Sequence, residues 1–370
     1  MQILTCIILC NLAIVPFSVD GKLRALHGSM EHDDSLSNNC PKENLANFMS
    51  YDSTPIVKPA SDLDLWIDDQ KSDHLISVSN ALPWLKKAAM EFIRDGYVVI
   101  RGGVSLSVCQ HAIDSFNRWC ALNIESCESV RDINGHLPRV INSHTVIKEI
   151  QHVITKNKKA LQLQDFLFGE KTSMYTSLFF TRGTQQRIHV DIPFFWTYPK
   201  NRYFGVWTAL EDVDADNGPL RVLVRGHQCN ILNQRHVLPQ IVKKRSERGS
   251  ISSVDEEAFY IYADATIENC ARMNITEYVD VHLKAGDTII WHPLLPHGGS
   301  AIQNMTRTRY SLVAHTVPEM VPVYHTDVFF DPSIKSAATA PWGYHIIKEE
   351  MDVPAYRLMA DLAMSVGKGY

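Results

Sequence analysis

The chain from about Thr172 onward is a series of short apolar or alternating runs, each followed by Gly, Pro, Asn or Asp. The runs are SMYTSLFFTRG, RIHVDIPFFWTY, YFGVWTALEDV, LRVLVRG, EYVDVHLKAGD, TIIWHPL and RTRYSLVAHTV. Many short strands with turn residues between them are typical of antiparallel β-proteins. This half of the chain therefore predicts an antiparallel sandwich or jelly roll.

The preceding segment has a different pattern. PWLKKAAMEFIRDG has apolar residues at helical spacing and ends on Gly96, a helix C-cap residue. YVVIRGGV is typical of a buried strand, and SLSVCQHAIDSFNRWCALNI begins with a serine cap and continues as an amphipathic helix. We expect these helices to pack on the outside of the sheet. The predicted fold class is thus an all-β core with flanking helices, in one domain over residues 76–325.

The flanking segments are predicted to lie outside this domain. Residues 1–21 have an apolar run from Ile3 to Phe17 followed by small and polar residues, the pattern of a secretory signal peptide. A buried N-terminal strand is the alternative, because no Lys or Arg precedes the run. The run is too short to span a bilayer, so no stable membrane anchor is expected. Residues 22–75 are interpreted as a polar arm, and residues 326–370 as a C-terminal tail with a helical stretch from Pro354 to Val366. Residues 234–271 are interpreted as a polar insertion over one mouth of the barrel.

Three further features bear on the compartment and the partners. Asn274 and Asn304 each begin an Asn-x-Thr pattern, the acceptor for N-glycosylation. After removal of residues 1–21 the cysteines form an even set, compatible either with disulfides or with buried thiols: Cys40, Cys109, Cys120, Cys127, Cys229 and Cys270. A formal charge of −5 gives no electrostatic reason to expect nucleic-acid binding. We therefore predict a secreted or secretory-pathway glycoprotein.

The strongest chemical signal is His189-Val190-Asp191. Residues i and i+2 of a strand point to one face, so this imidazole and carboxylate could hold one metal ion. The same His-x-Asp spacing occurs at His32 and at His325, but His32 lies in the polar arm. His325 is followed too closely by the next histidine, His345, to leave room for the intervening strands. His297 lies far downstream, after the turn Ala285-Gly286-Asp287 and a predicted strand, and is the candidate third ligand.

Two imidazoles and one carboxylate leave several coordination positions of a metal open. Iron(II) needs such positions to bind a bidentate oxoacid and then O2, whereas a tetrahedral zinc site with three protein ligands leaves only one. The residues therefore favour Fe(II). An arginine near RTRYSLVAHTV can bind the distal carboxylate of 2-oxoglutarate in a bidentate manner. Arg307 and Arg309 would share a face of the predicted strand, so spacing alone does not choose between them.

From Leu82 to Pro318 the chain resembles the phytanoyl-CoA dioxygenase-like (PhyH) family of Fe(II)/2-oxoglutarate oxygenases. The shared motifs are RDGYVVIRGGVS, QQRIHVD, VWTALEDVDADNGPL, GDTIIWHPLLPHGGS and RYSLVAHT. The resemblance implies a double-stranded β-helix, a cupin-like jelly roll, with His189, Asp191 and His297 as iron ligands. It selects Arg309 as the 2-oxoglutarate anchor.

The same resemblance implies further contacts with the co-substrate. Trp207 matches a position that lines the co-substrate pocket, although simple core packing explains it equally well, and Ser177 and Ser300 are weaker candidates for the same pocket. The chain departs from the family after the Asn-Gly-Pro-Leu turn, where Val224-Arg225-Gly226-His227 replaces the usual Pro-Gly-Ser-His. We also interpret the aromatic residues just after the metal motif, Phe194, Phe195, Trp196 and Tyr198, as candidates for a substrate mouth.

The function these features predict is an Fe(II)- and 2-oxoglutarate-dependent dioxygenase, with O2 as the other co-substrate. It would hydroxylate an unactivated C–H bond of an unidentified small-molecule or lipid substrate and release succinate and CO2. Two alternatives stay open. One is a secreted non-catalytic jelly-roll binding protein, for which the four residues of the site would have no use. The other is a metal-dependent hydrolase using the same triad, which would leave Arg309 without a role.

Overall fold

The structure is a computed structural model. It describes residues 65–132, 135–197, 199–229 and 256–318, together with residues 237, 239, 243, 321, 323–324 and 329–330. The predicted signal peptide, residues 22–64 of the polar arm, nearly all of the tail with its Pro354–Val366 stretch, and most of the 234–255 stretch lie outside the described residues. No helix within the described ranges is long and apolar enough to cross a bilayer.

Helices predominate before residue 170. The helices are α1 (Ser72–Val78), α2 (Pro83–Asp95), α3 (Leu106–Leu122), α4 (Ile124–Glu128), α5 (Lys148–Thr155) and α6 (Lys158–Phe168), and later in the chain α7 (Gly226–Cys229) and α8 (Glu256–Arg272). Short 3₁₀ turns span Trp66–Asp68 and Ser143–Thr145. The strands are β1 (Tyr97–Ile100), β2 (Val140–Ile141), β3 (Thr172–Phe180), β4 (Trp196–Thr197), β5 (Phe204–Ala209), β6 (Leu220–Leu223), β7 (Tyr278–Val281), β8 (Thr288–Trp291), β9 (His297–Gly299), β10 (Ser311–Pro318) and β11 (Val323–Tyr324).

The boundaries of α2 and α3 follow from their sequences. A proline occupies the first turn of α2, where its missing N–H costs nothing, and Gly96 ends the helix in the left-handed conformation (φ 84°). In α3 the Ser105 hydroxyl caps the helix by accepting a hydrogen bond from the Val108 N–H. Both helices bury an apolar stripe, which in α2 is Leu85, Ala89 and Phe92. The predicted helices are therefore present with the predicted caps.

The described strands form a six-stranded antiparallel sheet, a smaller three-stranded one and the two-stranded pair of β4 and β11. The order in the larger sheet is β1-β8-β5-β10-β3-β2, and in the smaller sheet β7-β6-β9. A cluster of apolar side chains from both sheets fills the space between them, including Trp207, Val222 and Val281. The helices cover the opposite face of the larger sheet, where Val206, Ile290 and Leu312 belong to the helix-facing core. This arrangement confirms the predicted fold class, although hydrogen bonds do not close the described strands into a complete barrel.

The central strands are buried on both faces. All eight residues of β10 are buried, and so are all six of β5. Along β10, Leu312 and Ala314 face the helices, whereas Val313 faces the smaller sheet. A strand covered on both sides has no polar face, which explains why apolar residues of these strands point to both faces rather than alternating with exposed polar ones.

Three segments differ from their sequence predictions. RIHVDIPFFWTY is not a regular strand, because only a single bridge residue, His189, and the two-residue β4 pair with other strands. RTRYSLVAHTV becomes a strand only from Ser311. The segment predicted as a polar insertion ends in α8, which buries Ala258, Phe259 and Tyr262. Helix α8 is held to α7 by the disulfide Cys229–Cys270, with 4.9 Å between the two Cα atoms.

The turn before β8 depends on Gly286. Its φ is +87°, and an added Cβ would lie 2.1 Å from the Val104 carbonyl oxygen, while the Val104 N–H donates to the Gly286 carbonyl at 3.0 Å. Asp287 completes the turn by accepting from the Gly102 N–H and the Lys284 N–H at 2.8 and 2.9 Å. Close backbone approach and positive φ together require glycine here.

We predict that Gly286→Ala destabilises the fold more than Gly102→Ala does. Gly102 has a φ of +58° but nothing within 4 Å of an added Cβ. Alanine at Gly102 should therefore cost about 1 to 2 kcal/mol of unfolding free energy from left-handed strain alone. Alanine at Gly286 adds the clash with Val104. Urea unfolding measures both free energies, and equal losses would contradict the role assigned to this contact.

Candidate functional site

A pair of backbone hydrogen bonds joins the two parts of the candidate site. The His189 N–H donates to the His297 carbonyl at 2.8 Å, and the His297 N–H donates to the His189 carbonyl at 2.9 Å. His297 begins β9, whose pairing with β6 places it opposite Val222 on the inner side of the smaller sheet. The two histidines, far apart in the sequence, are thus held side by side by main-chain groups.

In both histidines the Nδ1 atom contacts a backbone carbonyl and the Nε2 atom faces the cluster. The Nδ1 atom of His189 lies 2.7 Å from the Arg187 carbonyl oxygen, and that of His297 lies 2.9 Å from the Leu295 carbonyl oxygen. A carbonyl only accepts hydrogen bonds, so each Nδ1 carries the proton. This fixes the tautomer and leaves a lone pair on each Nε2 atom, the arrangement found in metal-ligating histidines.

Asp191 completes the cluster. Its Oδ1 atom lies 3.4 Å from His189 Nε2, and its Oδ2 atom lies 3.4 Å from His297 Nε2. One potential ligand atom from each of the three residues lies within 4.8 Å of the other two, and within the described residues no other group of three or more His, Cys, Asp or Glu side chains has such geometry. The three side chains are buried, with 5 to 11% of their surface exposed. The donors suit a single metal ion with open coordination positions.

The protonation states suit metal binding. Burial alone would raise the pKa of Asp191, but its interactions with His297 and His189 outweigh burial and hold the pKa below its usual range. Burial lowers the pKa of His297 to about 4, against the attraction of Asp191. Near neutral pH the cluster therefore contains a carboxylate and a neutral His297 imidazole, the forms that bind a cation.

The environments of the two candidate arginines differ. Arg309 is buried, and its guanidinium carbon lies 5.2 Å from the centre of the Trp207 ring while one guanidinium N–H donates to the Gly218 carbonyl at 2.6 Å. Burial lowers its pKa to about 10. Its Nε has no hydrogen-bond partner. Glu211 attracts the guanidinium electrostatically, but no carboxylate of the described residues lies within 4 Å of it to form an ion pair. Arg307 lies at the surface and binds Asp214 at 2.7 Å.

Of the weaker candidates, only Trp207 faces the interior between the sheets. Ser177 lies on the helix-facing side of β3, two residues from the buried Phe179, and its hydroxyl is 2.6 Å from His144 Nδ1. The Ser300 hydroxyl donates to Asp280. Asp280 and its register partner Arg221 alternate with the inward residues of β7 and β6, so they lie on the outer face. Both hydroxyls are thus directed away from the space beside Trp207, and a contact of either with the co-substrate stays a prediction.

Several residues around the cluster were not predicted from the sequence. The Tyr203 hydroxyl and the Trp291 indole N–H both donate to Asp191 Oδ2, at 2.8 and 3.3 Å. Phe259 of α8 packs against His189, with 5.4 Å between the ring centres. His315 stacks on Phe195 at 4.2 Å. Nothing in the local sequence marks these residues, because their contacts join segments distant along the chain.

The aromatic residues after the metal motif have separate positions. Phe194 is 36% exposed and packs on Phe259 at 4.7 Å, next to the cluster. Phe195 stacks on Tyr203 at 4.6 Å, and Trp196 packs on Phe329 at 5.2 Å. Tyr198 lies outside the described residues. Phe194 is therefore the described member of this group that is both exposed and close to the cluster.

His227, in the segment that departs from the family pattern, is a half-buried structural residue. Its Nε2 atom lies 2.9 Å from the Ile93 carbonyl oxygen, and its ring packs against His292 at 5.1 Å. His292 in turn lies 3.0 Å from Asp68. Burial lowers the pKa of His227 to about 3, so it is a neutral donor joining α7 to the end of α2. It is not part of the His189–Asp191–His297 cluster.

The fold and the cluster define a two-sheet β-protein with a two-histidine, one-carboxylate site. The sequence matches the phytanoyl-CoA dioxygenase (PhyH) family over residues 92–309, more than half of the chain. The chain belongs to this family, which confirms the resemblance found from its motifs. It is 24% identical over 221 residues to the peroxisomal phytanoyl-CoA dioxygenase of Bos taurus, and the match covers 55% of this chain and 60% of the length of that relative.

The chain is also similar to solved structures that contain 2-oxoglutarate. The epimerase SnoN in complex with Fe3+, alpha ketoglutarate and nogalamycin RO is 17% identical, with 66% of this chain and 87% of that chain covered and a TM-score of 0.47. EctD from S. alaskensis with 2-oxoglutarate and 5-hydroxyectoine is 15% identical, with 75% and 89% covered and a TM-score of 0.48. At TM-scores below 0.5, the assignment rests on the family match and on the site itself.

We predict that His297→Ala lowers the affinity for Co²⁺, a stable substitute for Fe²⁺, by more than about 100-fold, since even loss of a residue that only supports a ligand costs 10- to 100-fold. His227→Ala is the control, because it also removes a hydrogen-bonded imidazole, half-buried and outside the cluster. Titration calorimetry on the metal-free proteins measures the affinities. A folded His297→Ala protein that binds Co²⁺ as wild type does would remove His297 from the site.

Proposed function

We propose that this protein is an Fe(II)- and 2-oxoglutarate-dependent oxygenase that hydroxylates a C–H bond of its substrate. The observation that carries the proposal is the combination of the metal-type cluster with a buried arginine whose Nε–H is unpaired and which no carboxylate of the described residues contacts. A binding module or a hydrolase with the same triad would have no use for that buried cation. Family membership supports the same reaction class.

The residues present fit an iron ion and its co-substrate. His189 Nε2, Asp191 and His297 Nε2 supply two neutral nitrogens and one anionic oxygen, a donor set suited to Fe(II) with open positions. Bound iron would supply the activation of O2, with conversion of 2-oxoglutarate to succinate and CO2 and insertion of one oxygen atom into the substrate C–H bond. The protein orients the reactants and excludes water from the buried site.

Arg309 is the group we assign to the distal carboxylate of 2-oxoglutarate. A buried guanidinium that no carboxylate contacts directly is costly, and a bound carboxylate would supply a close opposite charge and a partner for the unpaired Nε–H. Trp207 lies under the guanidinium and limits the directions in which it can move. Together these two residues would determine how far the co-substrate extends from the metal.

We predict that Arg309→Ala raises the concentration of 2-oxoglutarate needed for half-saturation by about 10- to 100-fold, the usual cost of losing a charged hydrogen bond. Arg307→Ala is the matched control, since its guanidinium is already bound to Asp214. The measurement is anaerobic titration of the Fe(II)-loaded protein, following the weak visible charge-transfer band of chelated 2-oxoglutarate.

Three results of this titration have different meanings. A band in wild type that needs more 2-oxoglutarate in Arg309→Ala alone supports the proposal. The same weakening in Arg307→Ala alone would show that the anchor is the other arginine. Iron binding without any band in wild type would contradict the oxygenase assignment and favour a hydrolase or a binding protein.

The substrate class belongs to the same proposal. Phe194 is exposed next to the cluster and packs on Phe259, which in turn packs on His189. An apolar rim of this kind favours a small molecule or lipid that presents an apolar group to the metal. The test is stimulation of succinate formation by apolar compounds of graded length. Stimulation by polar compounds alone would contradict this part.

We also propose that the protein is made in the secretory pathway. The signal-like residues 1–21, the disulfide Cys229–Cys270 and the two Asn-x-Thr patterns support this location. Asn274 is exposed, and Asn304 is half-buried with Thr306 donating to its side-chain oxygen. Both patterns therefore lie where a glycan could be attached.

We predict that the protein expressed in a secreting eukaryotic host carries N-glycans at Asn274 and Asn304. Asn274→Gln and Asn304→Gln should each lower the mass of the secreted protein by one glycan, and the double variant should be unaffected by a peptide N-glycosidase. The readout is the intact mass before and after enzymatic deglycosylation. A protein that is retained in the cell and carries no glycan would contradict the proposed location.

A further inference from the structure

The metal-site carboxylate is held on one side by two hydrogen bonds. Tyr203 donates its hydroxyl and Trp291 its indole N–H to the same atom, Asp191 Oδ2, at 2.8 and 3.3 Å. Both donors are buried, with 0% and 3% of their surface exposed. We propose that Tyr203 and Trp291 are positioning residues that occupy Oδ2, so that Asp191 binds the metal through Oδ1 alone. This inference rests on the proposed function.

The distances to the histidines do not show which of the two carboxylate oxygens would bind the metal. Oδ1 lies 3.4 Å from His189 Nε2, and Oδ2 lies at the same distance from His297 Nε2. The hydrogen bonds do distinguish the two oxygens. A carboxylate offers about four lone-pair sites, two on each oxygen, and the two donors fill both sites of Oδ2. Oδ1 is then the oxygen with lone pairs free for a cation.

Binding through one oxygen matters for the reaction. A carboxylate free to rotate can bind a metal through both oxygens, and it then takes an extra coordination position. The proposed chemistry needs open positions for the two donor atoms of 2-oxoglutarate and for O2. The pair of donors would therefore keep a position open as well as orient the ligand, which is the role that partners outside the ligand set have in many metal sites.

Packing fixes both donors. The Tyr203 ring stacks on Phe195 with 4.6 Å between centres and an angle of 13°. The Trp291 ring lies directly over Gly205 in the adjacent strand, where an added Cβ would be 2.0 Å from the indole ring. The absence of a side chain at Gly205 is thus what allows the indole to reach Asp191. Donors fixed in this way do not have to be ordered when metal binds.

The first test compares Tyr203→Phe and Trp291→Phe with two controls. Tyr310→Phe removes a hydroxyl that donates to Asn117 rather than to a residue of the cluster. Trp66→Phe removes a buried indole N–H that has no hydrogen-bond partner in the described structure. Titration of the metal-free proteins with Co²⁺ should show at least about 10-fold weaker binding for each of the first two variants. The controls should stay within about twofold of wild type.

A second measurement distinguishes loss of the hydrogen bonds that orient Asp191 from a general loss of stability. In the Tyr203→Phe/Trp291→Phe double variant loaded with saturating Fe(II), 2-oxoglutarate should be needed at higher concentration to form the charge-transfer band, because Oδ2 is free to take a coordination position. Variants with wild-type unfolding midpoints that bind both Co²⁺ and 2-oxoglutarate as wild type does would overturn the inference. Failure of wild type itself to bind Co²⁺ would instead overturn the proposed function.

Gly205→Ala tests the same inference without removing a polar group. The added methyl displaces the Trp291 indole, so Co²⁺ binding should weaken as it does in Trp291→Phe. A folded Gly205→Ala protein with wild-type Co²⁺ affinity would contradict the role given to the indole. If this variant does not fold, the tyrosine and tryptophan variants still decide the question.

Discussion

The backbone pairing of His189 with His297 is the constraint on which the site depends. These two hydrogen bonds fasten an otherwise irregular segment to the end of β9, and β9 is itself anchored through β6. Side chains alone would not position ligands accurately on an irregular segment, because each would sample several rotamers. Main-chain pairing, with both Nδ1 atoms bound to carbonyls, fixes the direction of each imidazole before any metal arrives.

The sequence was sufficient to predict the cluster of His189, Asp191 and His297, although the structural reason was only partly correct. The i, i+2 spacing suggested a strand through His189 and Asp191, whereas Asp191 lies in a bend after a single bridge residue. The three side chains still converge, and the motif predicts them whether or not the segment is a strand. The choice between Arg307 and Arg309 likewise came from the motif. Structure adds the physical difference, because one guanidinium is paired at the surface and the other is buried beside Trp207.

Properties that depend on which face of a sheet a residue occupies were the least predictable. Ser177 and Ser300 lie in the expected segments, yet each hydroxyl points to the side away from Trp207. Register and facing are set by pairing between distant strands, and a single sequence does not encode them locally. The same limit applies to Tyr203, Trp291 and helix α8, whose roles arise only from tertiary contacts.

Gly205 illustrates how a central strand can serve both the core and the site. Its neighbours Phe204 and Val206 pack into the helix-facing core, so β5 is held firmly from one side. On the other side, the missing side chain opens a space that the Trp291 ring fills. Glycine in a strand interior usually weakens the strand, and here the neighbouring strands β8 and β10 on both sides offset that cost. The stability of the sheet thereby supports an indole donor at the metal-site carboxylate.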